Sequence, residues 1–183
     1  LKNPKIFDLA EKLIEKQNID VNIFEDYNKG FLTEKLINKI LDLAKSNHIP
    51  TIVDPKKKNF FSYKGVDVFK PNLKEINEGL STNIDIDSHE ELFSKVTILL
   101  EKIQAKNILL TLSEGGIYLQ NKEQAFSEPA HPRKIRDVSG AGDSVVAVSA
   151  LALASGLNVE QMMKIANLAG GLVCEKVGVV PIS

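Results

Sequence analysis

Short β-branched runs alternate with longer amphipathic segments through most of this chain, and each run ends in a turn rich in Gly, Pro, Asn or Asp. Apolar residues Ile6, Leu9, Ala10, Leu13 and Ile14 fall at helical spacing between Pro4 and about Lys16. Leu36, Ile37, Ile40, Leu41, Leu43 and Ala44 do the same within 32–46. Between and after these helices the spacing predicts strands at 21–25, 50–53, 66–69 and 107–112. Runs at 117–119 and 124–126 read as a hairpin-like antiparallel edge. Ser88 and Glu91 form a capping box for a helix reaching about Gln104, and two apolar helices, about 141–155 and 159–173, close the chain. Strand–helix alternation with short turns predicts an α/β fold in three layers, α-β-α, around a mainly parallel sheet. Ligands of such sheets bind beyond the carboxyl ends of the strands. The turns after Glu25, Val53, Phe69 and Leu110 should therefore open on one edge, where a site would lie.

Composition sets limits on that site. The chain has 183 residues, enough for one well-buried domain, with 43% hydrophobic and 26% charged residues. A net charge of −1 gives no general attraction to nucleic acid or to an anionic membrane. The longest apolar run, near 145–154, is too short to span a bilayer. Cys174 is the single cysteine, which excludes an intrachain disulfide and fits the reducing cytoplasm; its apolar helical setting suggests a buried small hydrophobe. His48, His89 and His131 are scattered and lack metal-ligand spacing.

Three segments carry chemistry. Gly140-Ala-Gly-Asp143 enters an Ala-rich helix, so bare backbone amides and the positive helix end would form an anion site. An acid in that mouth repels phosphate but suits a base that takes a hydroxyl proton; Asp143 would be ionised for that role. A glycine-rich turn with an ordinary first-turn acid is the alternative. No Walker A pattern is present. Asn72 and Glu75, three apart on a starting helix, could hold a phosphate and the hydration shell of Mg²⁺, or could simply cap the helix. Thr111-Leu-Ser-Glu-Gly-Gly116 follows a strand and either lets backbone approach a ligand or makes a plain hairpin turn.

Asn72-Leu-Lys-Glu75, Thr111-Leu-Ser-Glu-Gly-Gly116 and Asp137-Val-Ser-Gly-Ala-Gly-Asp143 occur in the order found in the PfkB/ribokinase sugar kinases, which the chain resembles along nearly its whole length. Asp26-Tyr-Asn-Lys-Gly30, Val53-Asp-Pro-Lys56, Lys70-Pro-Asn72 and the tail Gly171–Gly178 resemble, within that family, the kinases that phosphorylate D-glycero-D-manno-heptose 7-phosphate at its anomeric position in ADP-heptose synthesis. The resemblance implies a ribokinase-like fold and the cofactors ATP and Mg²⁺. It implies Asp143 as catalytic base, with Gly140, Ala141 and Gly142 as its anion hole. Asn72 and Glu75 would order Mg²⁺ through water and the transferred phosphate. Thr111, Ser113 and Gly116 would lie on the nucleotide, and Asn167 near the adenine. Lys56 would lie near phosphate, unless it is a solvated surface lysine; Asp26 and Lys29 would face the sugar phosphate.

Related kinases are often dimers, so a homodimer is implied, with a small sugar phosphate and ATP as partners and no nucleic acid or membrane. Family members begin with a section that carries a Gly-Gly motif, the sugar contacts and a small β-sheet lid, and none of it is visible here. The expectation is that residues 1–183 form the C-terminal, nucleotide-binding and catalytic portion of one kinase domain, with little or no turnover alone. Two other readings stay open: the same chemistry on another sugar, sugar phosphate or nucleoside, and a non-catalytic nucleotide- or sugar-binding module. Retention of Asp143 beside Asn72 and Glu75 argues against the module, which has no use for a base.

Overall fold

The computed structural model describes residues 4–16, 19–130, 136–175 and 177–178. Among these residues, six strands form one sheet in sequential order: β1 (Asn22–Glu25), β2 (Thr51–Asp54), β3 (Val68–Phe69), β4 (Asn107–Thr111), β5 (Ile117–Gln120) and β6 (Ala125–Glu128). The first four pair in parallel, and the last two add an antiparallel edge. Six α-helices among the described residues accompany them: α1 (Pro4–Lys16), α2 (Glu34–Ser46), α3 (Leu73–Leu80), α4 (His89–Ile103), α5 (Ala141–Ala154) and α6 (Val159–Cys174).

The pleat sorts alternate strand residues to opposite faces, and each face has its own core. Phe24, Val53, Phe69, Ile108, Leu110 and Tyr118 pack with Ile37 of α2, Ile76 of α3 and Leu92, Val96 and Leu99 of α4. Ile52, Val68, Leu109, Ile117 and Leu119 pack with Val145, Val146 and Ala150 of α5 and Met162, Met163 and Ala166 of α6. The outcome is the expected three-layer α-β-α arrangement with a mainly parallel sheet. Among the described residues, no helix is long and apolar enough to cross a membrane.

Helix starts follow the side chains able to cap them. Thr33 Oγ1 accepts from Leu36 N at 3.3 Å and opens α2. Ser88 Oγ accepts from Glu91 N at 3.3 Å, which supplies half of the expected capping box. Asn72 and Glu75 make a full box and start α3. The run at 66–69 contributes only Val68 and Phe69 to the ladder. A 3₁₀ turn at Lys57–Asn59, unforeseen from the Lys56-Lys-Lys58 run, carries the chain from β2 toward Phe60 and Tyr63 in the core. Cys174 is half-buried at the end of α6 rather than fully enclosed. Burial, then the nearby Asp137 charge, pushes its thiol up, away from the reactive thiolate.

Candidate active site

Parallel pairing of β1 to β4 sends their carboxyl ends to one edge, as expected for the four turns. Register places Glu25 beside Asp54 at the ends of β1 and β2. Lys70 follows β3, and its N–H donates to the Val53 carbonyl at 2.9 Å. Asn72 bridges in parallel to Thr111 at the end of β4, and Thr111 N donates to the Pro71 carbonyl at 3.1 Å. The N-terminus of α5 comes over the β1–β2 side of this edge, because α5 packs on both strands.

Gly140 caps α5 with φ +79°, a left-handed conformation that leaves no side chain over the helix mouth. Asp137 holds the approach to it. Its Oδ1 accepts from Ser139 N at 2.9 Å and Ser139 Oγ at 2.7 Å, and its Oδ2 accepts from Gly178 N at 2.9 Å. Those donors keep the carboxyl down at about 2, Ser139 contributing most. Asp137 thus fastens the loop before α5 to the stretch after α6.

Asp143, exposed in the first turn of α5, meets two further acids. Glu25, Asp54 and Asp143 each place a carboxylate oxygen within 4.8 Å of the other two. Burial, then the charges of Asp54 and Asp143, raise the half-buried Glu25 to about 7; Lys70 and Lys56 partly oppose the rise. The phenol of exposed Tyr27 is also held up, by Asp143 first and Glu25 second, so the 26–30 turn borders the same acids.

Two lysines answer this negative charge. Lys56 Nζ donates to Glu75 Oε1 at 2.6 Å and Asp54 Oδ2 at 3.0 Å. Burial works against its charge, but the two carboxylates prevail and raise its pKa. Lys70 Nζ lies 3.0 Å from Asp54 Oδ1 with its side chain only 3% exposed. The alignment of that pair does not make a hydrogen bond, so the buried Asp54 Oδ1 has a charge partner but no donor. Lys70 also lies under the α5 mouth, 3.7 Å from where a Cβ on Gly142 would sit. Glu25, Asp54 and Lys70 were given no role from sequence. Asp54 and Lys70 fall within the Val53–Lys56 and Lys70–Asn72 motifs that carry the family resemblance, whereas Glu25 is only a charged residue at the end of a strand-like run.

The other expected residues divide. Asn72 and Glu75 do cap α3: Asn72 Oδ1 accepts from Glu75 N, and Glu75 Oε2 accepts from Asn72 N, both at 2.9 Å. With Lys56 on Oε1, Glu75 has both oxygens engaged at the rim of the acid cluster. Gly116 has φ +84°, and a Cβ there would run into the Glu128 carbonyl and the Pro129–Ala130 backbone. Its bare backbone therefore admits protein backbone. Ser113 is exposed in the 3₁₀ turn Ser113–Gly115. It also lines a shallow open concavity with Leu73, Lys74, Asn77, Glu78 and Thr82, which shares no other expected ligand residue. Asn167, buried on α6, donates through Nδ2 to the Pro129 carbonyl at 2.8 Å and ties that helix to the segment after β6. Asp26 is buried and saturated: Asn28 N (2.8 Å), Asn59 Nδ2 (2.9 Å) and Tyr63 Oη (2.8 Å) all donate to it. It organises the turn from within, whereas Lys29 stands exposed on it.

An all-oxygen group of three carboxylates suits a hard divalent cation such as Mg²⁺, and the donor-free Asp54 oxygen fits that use. The α5 mouth backed by Lys70 suits a phosphate. An acid, a helix mouth open to an anion and a cation-compatible cluster on one sheet edge are parts that phosphoryl transfer can use.

Residues 11–182 match the profile of the pfkB family carbohydrate kinases. The chain belongs to this family, whose members are phosphotransferases acting on a sugar hydroxyl. Its curated relatives include the bifunctional protein HldE of Aliarcobacter butzleri (strain RM4018), 41% identical over 95% of this chain and 36% of that protein. Another is the HldE of Helicobacter pylori (strain HPAG1), 36% identical over 97% of this chain and 39% of that protein. The chain thus spans little more than a third of the length of these relatives. Among solved structures, phosphofructokinase-2 from Escherichia coli in complex with potassium superposes with a TM-score of 0.83 at 19% identity, over 96% of this chain and 58% of that one. Ribokinase from Arabidopsis thaliana, complexed with ribose and ATP, gives 0.77 at 18%, over 96% and 54%. At such identities these two likenesses concern the fold alone.

Proposed function

We propose that these residues form the nucleotide-binding and catalytic portion of a kinase that transfers the γ-phosphoryl group of ATP to a sugar hydroxyl. The observation that carries this reading is Asp143 in the first turn of α5, above a helix mouth backed by the buried Lys70. Asp143 takes the proton of the attacking hydroxyl. The amides at Gly140 and Gly142 hold oxygens of the transferred group, as donors fixed in advance of the charge they meet, whereas the Ala141 amide is turned to the Val138 carbonyl at 3.3 Å and does not share that role. Asp54, whose Oδ1 lacks a donor, would hold Mg²⁺ from the acid cluster, and Glu75, with its oxygens engaged by Lys56 and the Asn72 amide, would reach it only through water from the rim; the cation supplies charge neutralisation on the phosphates. Thr111 and Ser113, on the loop beside Asn72, would border the nucleotide, and Asn167 its base.

The acceptor we favour is D-glycero-β-D-manno-heptose 7-phosphate, phosphorylated at its anomeric hydroxyl to the 1,7-bisphosphate. The HldE relatives support it, together with the Asp26–Gly30 turn, which borders the acid cluster through Tyr27. Lys29 would meet the distal phosphate from that turn. Such a kinase would work in the cytoplasm, where ATP and sugar phosphates are found, and a homodimer is the assembly the family resemblance suggests. The test is an ATP-coupled assay of the full-length protein across heptose 7-phosphate, fructose 6-phosphate, ribose and a nucleoside. The expected result is turnover with the heptose phosphate at least tenfold above the rest, and a new anomeric phosphate by phosphorus NMR. Preference for another acceptor would replace the substrate; no transfer to any acceptor would remove the kinase reading.

A further inference from the structure

Lys70 is an unusual lysine. Its side chain is 3% exposed, and among the described residues its ammonium has one ion pair, to Asp54, and no hydrogen bond. A buried ammonium with three donors normally satisfies them. Its position adds a second oddity. It lies under the first turn of α5, where the helix end already carries partial positive charge and a cation is unfavourable. Two positive elements facing one point are stabilised by an anion placed between them.

Gly142 decides whether that point can be reached. The nearest atom to a Cβ built at Gly142 is Lys70 Nζ, at 3.7 Å, so glycine leaves a gap in the helix wall directly over the ammonium. A methyl group would fit there without a clash and would cover it. Glycine disfavours a helix by comparison with alanine, so its use where alanine fits points to a need for the gap.

We infer that Lys70 is a catalytic residue of the phosphoryl transfer, its ammonium reaching through the gap at Gly142 to an oxygen of the transferred phosphoryl group. Asp54 orients the lysine from below, and the α5 amides meet the same group from above. This assignment rests on the kinase reading given above, and it adds a side-chain cation to an anion hole otherwise made of backbone.

The test uses the full-length protein and two probes, ADP alone and ADP with aluminium fluoride, which mimics the planar phosphoryl group in flight. Lys70→Met keeps the stem and removes the charge. It should weaken binding of the aluminium fluoride complex by about 100-fold, the usual size for a lost oxyanion donor, while ADP alone binds within about threefold. Gly142→Ala should fold at least as well as the unaltered protein and weaken the same complex by about tenfold or more. Its loss should not add to that of Lys70→Met in the double variant. A folded Lys70→Met protein that binds the fluoride complex normally would overturn the assignment. If that variant does not fold, normal binding by Gly142→Ala would overturn it. Transfer activity of the unaltered protein is read separately: its absence would remove the kinase reading, whereas its presence with insensitive variants would remove only the role of Lys70.

Discussion

At the scale of residues, the site is a problem of crowded like charges. Glu25, Asp54 and Asp143 converge within 4.8 Å, and Lys56 and Lys70 offset only part of the repulsion. Glu25 bears the consequence, its carboxyl raised to about 7 by burial and then by the two aspartates. In the unfolded chain it would ionise near 4.5. Folding therefore favours the protonated form: Glu25 costs nothing below pH 4.5, destabilises the fold progressively as pH rises toward 7, and keeps its full cost above that. Glu25→Gln cannot ionise, so without divalent cations it should raise the melting temperature more at pH 8 than at pH 5. Thermal unfolding of both proteins at the two pH values checks this; an equal difference at both would refute it. The residues that create this balance were the least legible from sequence. Gly140–Asp143 announces itself by small residues at a helix start, whereas Glu25, Asp54 and Lys70 are single charges at strand ends, whose chemistry does not show locally even where, as for Asp54 and Lys70, they sit in motifs that resemble the family's. Only parallel registration brings them together.

At the scale of elements, most of the fold was legible because most helices show a clear apolar period and α2, α3, α4 and α6 start on side chains that cap them, whereas α5 is apolar all round and starts on Gly140 without a side-chain cap. Helices α1, α2, α5 and α6 lie within about two residues of their expected bounds, and the antiparallel β5–β6 edge is present. What did not show locally was a turn glycine whose partner lies far along the chain. The Thr111–Gly116 loop suggested a backbone close to a ligand, but Gly116 is instead pressed against the backbone at 128–130. Local sequence cannot reveal a neighbour twelve residues away. Gly116→Ala should destabilise by about 3 kcal/mol or more, since a steric conflict with fixed backbone adds to a φ that alone costs about 1–3 kcal/mol. Gly30→Ala shares a positive φ of +79° but meets nothing within 4 Å, and should cost only about 1 kcal/mol. Urea unfolding of the two variants measures the difference. Comparable losses would mean that strain alone, and not the approach of segment 128–130, explains the glycine.

At the scale of the whole molecule, one sheet serves two cores and one edge. Leu109, fully buried in β4, belongs to the core under α5 and α6, and its neighbours Ile108 and Leu110 to the core under α2, α3 and α4. Leu109→Ala should cost about 2–5 kcal/mol and loosen α5 against the sheet, which is the packing that holds Asp143 over Glu25 and Asp54. Transfer activity should then fall at temperatures where the protein still has native helix content by circular dichroism; activity lost only at the global melt would separate the core from the site.

The central claim is that Asp143 acts as a base at an anion-binding helix mouth, and it is tested most directly by single-turnover phosphoryl transfer and ATP binding in full-length Asp143→Asn. The amide keeps the size of the side chain, removes the proton acceptor and reduces repulsion in the acid cluster. The account predicts transfer to heptose 7-phosphate slowed by about 10²–10⁴-fold, with ATP bound at least as tightly as before. Transfer at the unaltered rate would contradict it.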